Sequence, residues 1–262
     1  MILRRLSKHV REQNWVAVAL DFLIVVLGVF IGVQIGNWND TRQQRTIYEQ
    51  SLDRALAEVQ VNLSNIERSR VVIDERLPTI QAAIEVLRSC QTSPEARASL
   101  EAAFSRVRVM SSIRIDTKAL DQLINNDSFL PFQPPETRQT LLSLSTTLND
   151  LRAQSNDLVD LARQADWGLH DVIRMSDLTH GSPADVIEAV RGGAIASPER
   201  VRQWQLVVPL DVACKNEKFL NVFLIWEDTA YFNAVMGEVS SLEVRSALET
   251  LGVSAPAEDA AP

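Results

Sequence analysis

The chain has 262 residues, of which 46% are hydrophobic and 23% charged, the balance of a folded chain rather than a disordered one. Its net charge of −8 is unevenly spread: residues 1 to 14 sum to +3, from Arg4, Arg5, Lys8 and Arg11 against Glu12, and the remainder carries −11. The acidic body argues against nucleic acid as a partner, while three histidines, two cysteines and nine glycines leave little material for a metal cluster, a zinc ribbon or a glycine-rich phosphate loop.

The first element in chain order is a membrane span. Between Trp15 and Trp38 the only strongly polar side chains are Asp21, Gln34 and Asn37. Trp15 to Ile35 is 21 residues, which gives roughly 31 Å of helix, the thickness of a hydrocarbon core. Trp15 and Trp38 then anchor the two interfaces. Four basic residues precede the span and only Arg42 and Arg45 closely follow it, so the positive-inside rule puts the N-terminus in the cytoplasm. The apolar run exceeds the roughly 7 to 15 residues of a cleaved signal and ends without a convincing A-x-A site. An uncleaved signal anchor is therefore expected, in preference to a cleaved signal or a buried soluble helix. The resulting division is a basic cytoplasmic arm over 1–14, a transmembrane helix over 15–38, an extracytoplasmic helical bundle over 39–252 and a disordered tail over 253–262.

Within the span, Gly28, Gly32 and Gly36 recur every fourth residue and leave a groove along one helix face, where another helix can approach closely. Ala17 and Asp21 lie eleven and seven residues before Gly28, within about 20° of that face. An acid inside a span is expensive and commonly faces protein or water. Asp21 is only six residues, roughly 9 Å, inside Trp15, so snorkelling to the headgroups removes part of the cost. Two readings stand: a tolerated acid beside glycines that merely pack, or a specific helix-helix contact that uses Ala17, Asp21, Gly28, Gly32 and Gly36. A proton-relay role for Asp21 is a third.

Beyond the span, Leu52, Leu56, Val59, Leu63, Ile66, Ile73, Leu77, Ile80, Ile84 and Leu87 form a heptad seam interrupted at Arg70. Pro78 predicts a kink or break in it. A second seam runs through Leu141, Leu144, Leu148, Leu151, Leu158, Ala162, Ala165, Leu169 and Val172, with Ser155 in the interrupted slot. The two seams are expected to bury against each other as an antiparallel pair, with Arg70 and Ser155 as a polar layer that fixes register. Between them, Ser93-Pro94-Glu95 opens a helix with Leu100, Phe104 and Val107 on one face. Asp116 caps another that leads to Leu120, Leu123 and Ile124, and "FLPFQPPET" ends regular structure before the second seam.

Short helices are expected to open at Gly181-Ser182-Pro183 and at Ser197-Pro198-Glu199. A third long helix begins near Asp211 and runs through Phe219, Phe223, Trp226, Ala230, Asn233 and Met236. Ser240 with Glu243 resembles the capping box of a separate final helix. Strand signals are weak, since "QLVVPL" is too short to build a sheet alone. The fold class is all-α: one transmembrane helix followed by long antiparallel helices with short connecting ones.

Cys90 and Cys214 are the entire cysteine complement. In an oxidising compartment a disulfide between them would tie the third long helix to the first; two buried thiols are the other reading. No HExxH, GxSxG, P-loop or Rossmann fingerprint occurs, and no residues combine a nucleophile, a base and an orienting partner at readable spacing. No catalytic, cofactor or metal residues are expected, and no enzyme. A cytoplasmic arm of about 14 residues offers no room for an output domain, so any signalling would pass through a partner's span.

The segment "NWVAVALDFLIVVLGVFIGVQIGNWND", with a basic arm before it and the stretch from Arg42 to Tyr48 after it, resembles an uncharacterised family of bacterial single-span membrane proteins. Those proteins join a glycine-rich span ending in an Asn-Trp-Asn/Asp junction to a helical extracytoplasmic domain. The likeness covers mainly residues 14 to 50. It implies the bacterial inner membrane and this architecture, and no activity. The expected function is that of an envelope interaction protein, whose partners are the lipid bilayer and either a second copy or another membrane protein through the span. The alternatives are an accessory subunit of a proton-coupled or transport assembly using Asp21, and a periplasmic ligand-sensing module.

Overall fold

A computed structural model of the protein describes residues 15–107, 112–164, 169–175 and 204–256. The fold is all-α apart from one small ribbon. In chain order it comprises α1 (Trp15–Ser89), α2 (Pro94–Val107), α3 (Lys118–Ile124), a 3-10 turn (Asp127–Phe132), α4 (Pro135–Gln164), β1 (Ile173–Met175), β2 (Trp204–Leu206), α5 (Leu210–Ala213) and α6 (Glu217–Thr250). The basic arm over 1–14 and the helices expected at Gly181 and Ser197 lie outside the described residues.

Helix α1 is 75 residues long, about 110 Å at the usual rise, and its apolar N-terminal part is long and apolar enough to cross a membrane. The apolar segment and the first heptad seam are thus one continuous helix. Asn37 to Asp40 contains neither glycine nor proline, and the Thr41 hydroxyl donates back to the Asn37 carbonyl at 2.8 Å without interrupting the helix. The break expected at Pro78 does not occur. Proline removes the N–H that would reach the Asp74 carbonyl, but burial of Ile80, Ala83, Ile84 and Leu87 just beyond it holds the last turns in place.

Two apolar layers organise the packing. The layer nearer the apolar N-terminal part of α1 joins Tyr48, Leu56, Val59 and Leu63 to α3, to Leu141 through Leu151 of α4, and to Val244 and Leu248 of α6. The farther layer joins Ile80, Ile84 and Leu87 to Phe104 of α2, Val159 and Ala162 of α4, and Phe219, Phe223 and Trp226 of α6. Chain direction follows from these layers: α1 and α4 run the same way, and α6 runs against both.

This corrects the expected antiparallel pairing of the first two seams. Helix α6 contacts α1 and α4 more extensively than those two helices contact each other. The reason lies in α6 itself. Phe219, Phe223, Trp226, Ala230, Asn233, Gly237, Ser240 and Val244 keep alternating spacings of four and three, with Leu248 a further four on, while Val222, Thr229 and Ser241 widen the buried arc enough for two neighbours. That unbroken seam also explains why no separate helix starts at Ser240. Ser240 is buried mid-helix, and the Ser241 hydroxyl turns back to the Glu238 carbonyl at 2.8 Å.

The second seam shifts as well. Val159 is buried where Leu158 was expected, α4 ends at Gln164, and Leu169 and Val172 are buried in the turn that follows rather than on the helix; Ala165 lies outside the described residues. Part of "FLPFQPPET" is the 3-10 turn, with Asn126 capping it through the Ser128 N–H at 3.1 Å. The residues of "QLVVPL" do contribute to a ribbon: β1 and β2 pair antiparallel, with Ile173 opposite Leu206. Helix α2 holds this ribbon, since the Glu101 carboxylate accepts from the Leu206 N–H at 2.9 Å and Arg97 donates to the Leu206 and Val208 carbonyls.

The N-terminus of α3 is capped from α1. The Glu58 carboxylate accepts from the Ala119 and Leu120 N–H groups at 3.0–3.1 Å, and Asp116 adds a bond from the Lys118 N–H at 3.2 Å. One turn along, buried Asn62 donates to the Asp116 carbonyl at 2.6 Å and accepts from the Asp116 N–H at 3.0 Å. Asn62→Leu keeps the volume but removes the partner of the Asp116 N–H and carbonyl at a part-buried site. The expected loss is about 2 kcal/mol of unfolding free energy, read by urea titration.

Helix α6 ends in a Schellman motif: the Val253 N–H reaches the Leu248 carbonyl at 2.9 Å, the Gly252 N–H reaches Glu249, and Gly252 adopts a φ of 75°. The tail expected to be disordered from 253 begins instead as packed chain. Val253 and Ala255 lie against the first layer, and the Ser254 and Pro256 carbonyls accept from Gln60 and Arg245. Residues 257 to 262 lie outside the described part.

Candidate functional site

The apolar part of α1 stands clear of the rest of the fold: from Leu20 to Ile35 its side chains are exposed, with Phe22 at 71%. A Cβ placed on Gly28, Gly32 or Gly36 would meet nothing within 4 Å, so the groove they leave is open. Asp21 is exposed on the same stretch of helix, and Trp38 is exposed at its far end. Trp15 and Ala17 belong to α1, but their side chains are outside the described residues.

The two residues expected to share a polar layer have separate partners. Arg70 forms ion pairs with Glu238 of α6 and, at 3.8 Å, with Asp74 one turn along α1. The Ser155 hydroxyl accepts from the Ile113 N–H at 2.9 Å, binding the segment before α3 to α4. Because α1 and α4 meet through α6, the gap in each seam is filled by a different element. A second ion pair, Glu67 with Arg245, lies one turn from Arg70 and fixes the register of α1 against α6. Next to Glu238 sits Gly237, where a Cβ would meet Ile66 Cγ2 at 3.5 Å and Ile113 Cδ1 at 3.8 Å, ordinary contact distances. Gly237→Ala should therefore stabilise the fold by about 0.5–1 kcal/mol, measured by thermal unfolding.

Cys90 and Cys214 do come together. Both are free thiols and half-buried; Cys90 is a close enough neighbour to perturb Cys214, whose sulfur lies 4.0 Å from the Val86 carbonyl. Burial first, then the neighbouring Cys90, push the Cys214 thiol up to about 12. Cys90 follows the last turn of α1 with a φ of 51°, a left-handed conformation rare for a side chain without a local hydrogen-bonding amide.

One further site was not legible as such. A cavity of about 280 Å³ opens between α1, the segment before α3 and α6. Its inner wall carries Trp226 and Asn233, which are 2% and 4% exposed. Trp226 Nε1 and Asn233 Oδ1 have no hydrogen-bond partner among the described residues. Among the described residues the lining includes Arg68, Arg76 and Arg114 and no acidic residue. Arg68 and Arg114 are exposed, and Asn65 links them by accepting from the Arg68 guanidinium at 3.3 Å and donating to the Arg114 carbonyl at 3.0 Å. Two signals pointed here: Asn233 is a polar amide in a core slot of an otherwise apolar or small-residue seam, and Arg68 and Arg76 are eight residues apart on α1.

No family model, no curated protein and no solved structure matches this chain.

Proposed function

We propose that the protein is a single-pass membrane protein of the bacterial inner membrane, N-terminus cytoplasmic and folded part periplasmic, that acts as a structural or interaction component of the envelope. Its folded part is a helical bundle presented to a partner, and its span associates through the glycine face. The observation that carries this reading is an exposed apolar stripe on the outer side of α6, formed by Tyr231, Phe232, Val235, Val239 and Leu242, in addition to the open face of the span. Singly exposed apolar residues are ordinary; five along roughly 16 Å of one helix are the mark of a contact surface. The resemblance of residues 14 to 50 to single-span bacterial proteins supports the location.

The reading is tested by cross-linking in intact membranes, with mass spectrometry of what is captured, for wild type, Gly32→Ile, Val239→Glu and Asp21→Asn. A β-branched side chain in the groove removes the close approach, so Gly32→Ile should abolish a cross-link through the span. Val239→Glu should abolish one through α6. A cross-linking pattern unchanged by both substitutions would contradict the proposal. Asp21→Asn separates the accessory-subunit reading: asparagine keeps hydrogen bonding and loses proton exchange, so assembly would survive while a coupled activity would not.

A further inference from the structure

We propose that a second copy of this chain covers the outer face of α6, the two α6 helices packing parallel and in register as a short coiled coil. The inference rests on the reading of the chain as a single-pass membrane protein with a contact surface on α6, and names the partner. Phe232, Val235, Val239 and Leu242 are spaced three, four and three apart, the a and d positions of a heptad, and Tyr231 stands beside the first of them. The core seam of the same helix lies on the opposite side and already has its partners in α1 and α4. Helix α6 thus carries two seams. Among the described residues nothing covers the outer one, whose five side chains are 41–58% exposed. A narrow a/d pattern fits the knobs and holes of another helix, not a flat surface or a small molecule.

Height, symmetry and size choose the occupant. The outer seam is level with Ile66 and Arg70 of α1, since Gly237 lies against Ile66 and Glu238 is ion-paired with Arg70. Those residues are 28 and 32 positions beyond Trp38 on the continuous helix, about 42–48 Å, so the headgroups of the bilayer do not reach the seam. Two copies anchored in one membrane point the same way and present the same residues at the same height, so a two-fold axis along the membrane normal sets each seam residue beside its own counterpart. The five exposed side chains leave roughly 450 Å² of apolar surface per copy, about 900 Å² for a pair, below the 1,200 Å² or more of a stable interface between free partners. A co-anchored copy is held at high local concentration and needs no more than that. Charge keeps the seam weak by itself. In a parallel pair Glu238 of one copy faces Glu243 of the other, each occupied within its own chain: Glu238 by Arg70, and Glu243 by the Thr147 hydroxyl, which donates to it at 2.8 Å.

The test uses the full chain in proteoliposomes at low protein density, in a Cys90→Ser/Cys214→Ser background, with Val235→Cys, Leu242→Cys or Val61→Cys and mild oxidation. Val235→Cys and Leu242→Cys should each give about tenfold more disulfide-linked dimer than Val61→Cys, which is as exposed but lies on α1. An antiparallel pair would bring at most one of the two seam sites to its counterpart. Glu243→Lys turns the facing pair with Glu238 into an attractive one and should raise the linked fraction about twofold. Adding Val239→Glu should bring the product down to the Val61→Cys level. Val239 is exposed, so that variant should melt like its parent, which shows that a loss of dimer is not a loss of fold. Equal product at all three sites, or no response to Val239→Glu, overturns the second copy as occupant. The liposome holds no other protein, so the envelope-interaction reading falls only with the capture experiment in intact membranes; a different protein captured there through α6 would be the occupant instead.

Discussion

Phe104→Ala is expected to cost about 3–5 kcal/mol of unfolding free energy, the upper end for a single core truncation. Phe104 is 1% exposed and packs against three other rings, with centroids 5.5 Å from Trp204, 5.6 Å from Phe219 and 5.9 Å from Phe223. Each pair adds to simple burial through edge or tilted ring geometry. The cluster joins α2, β2 and α6, so losing its central ring leaves a cavity where three elements meet. Urea titration should show a lower midpoint, and Trp204 emission should shift to the red as β2 loosens. Phe104→Leu should recover more than half of the loss; a cost below about 1 kcal/mol for alanine would mean that the farther layer does not hold the fold together.

The second large effect is redox-linked. Oxidation of Cys90 and Cys214 by a disulfide-bearing thiol oxidoreductase would form one S–S bond and pass two electrons and two protons to the oxidant, whose own disulfide becomes a dithiol. The bond would join residues 124 positions apart and tie α5, just before α6, to the end of α1. Closing a loop of that size in the unfolded chain stabilises the fold by about 2–5 kcal/mol. Purified protein should lose two hydrogens by intact mass on oxidation and melt higher, with no change in Cys90→Ser or Cys214→Ser. In the reduced protein the Cys214 thiol is held in its protonated form. A folded pKa of about 12 against 9.0 gives a contribution that is complete below pH 9 and is lost as the pH climbs from 9 towards 12. Reduced protein should therefore weaken in that window and oxidised protein should lack this component.

The long apolar helix at the start of α1, the heptad seam that follows it, the start of α2 at Pro94, the core face of α3 and the leucines of α4 were all legible, because each is a pattern within one segment. What the pattern does not contain is the choice of neighbour. Both long seams needed an apolar face to bury against, and the nearest in sequence seemed to be each other; α6 took both because its buried arc is wide enough for two. The Ser240–Glu243 motif has the letters of a capping box, yet the four-three seam passes through it unbroken, and tertiary burial overrides a local cap signal. Arg70 and Ser155 were visible as interruptions, but their partners, Glu238 and the Ile113 N–H, come from elements that no spacing rule connects to them. The cavity could not be assembled from its separate signals for the same reason: Arg68, Arg114, Trp226 and Asn233 are brought together only by the packing of three separate segments.

The central claim is that one rigid helix joins a membrane span to the folded part. It is tested most directly by a pulsed electron-electron distance measurement in liposomes, with nitroxides on Val33→Cys and Val61→Cys in a Cys90→Ser/Cys214→Ser background. Both sites are exposed on α1, at 55% and 60%, and their separation of 28 residues corresponds to about 42 Å along an unbroken helix. A single narrow distribution near that distance is the predicted result. A broad distribution, or one displaced well below it, would mean that the chain bends where the span meets the folded part, and the rod that the account depends on would not exist.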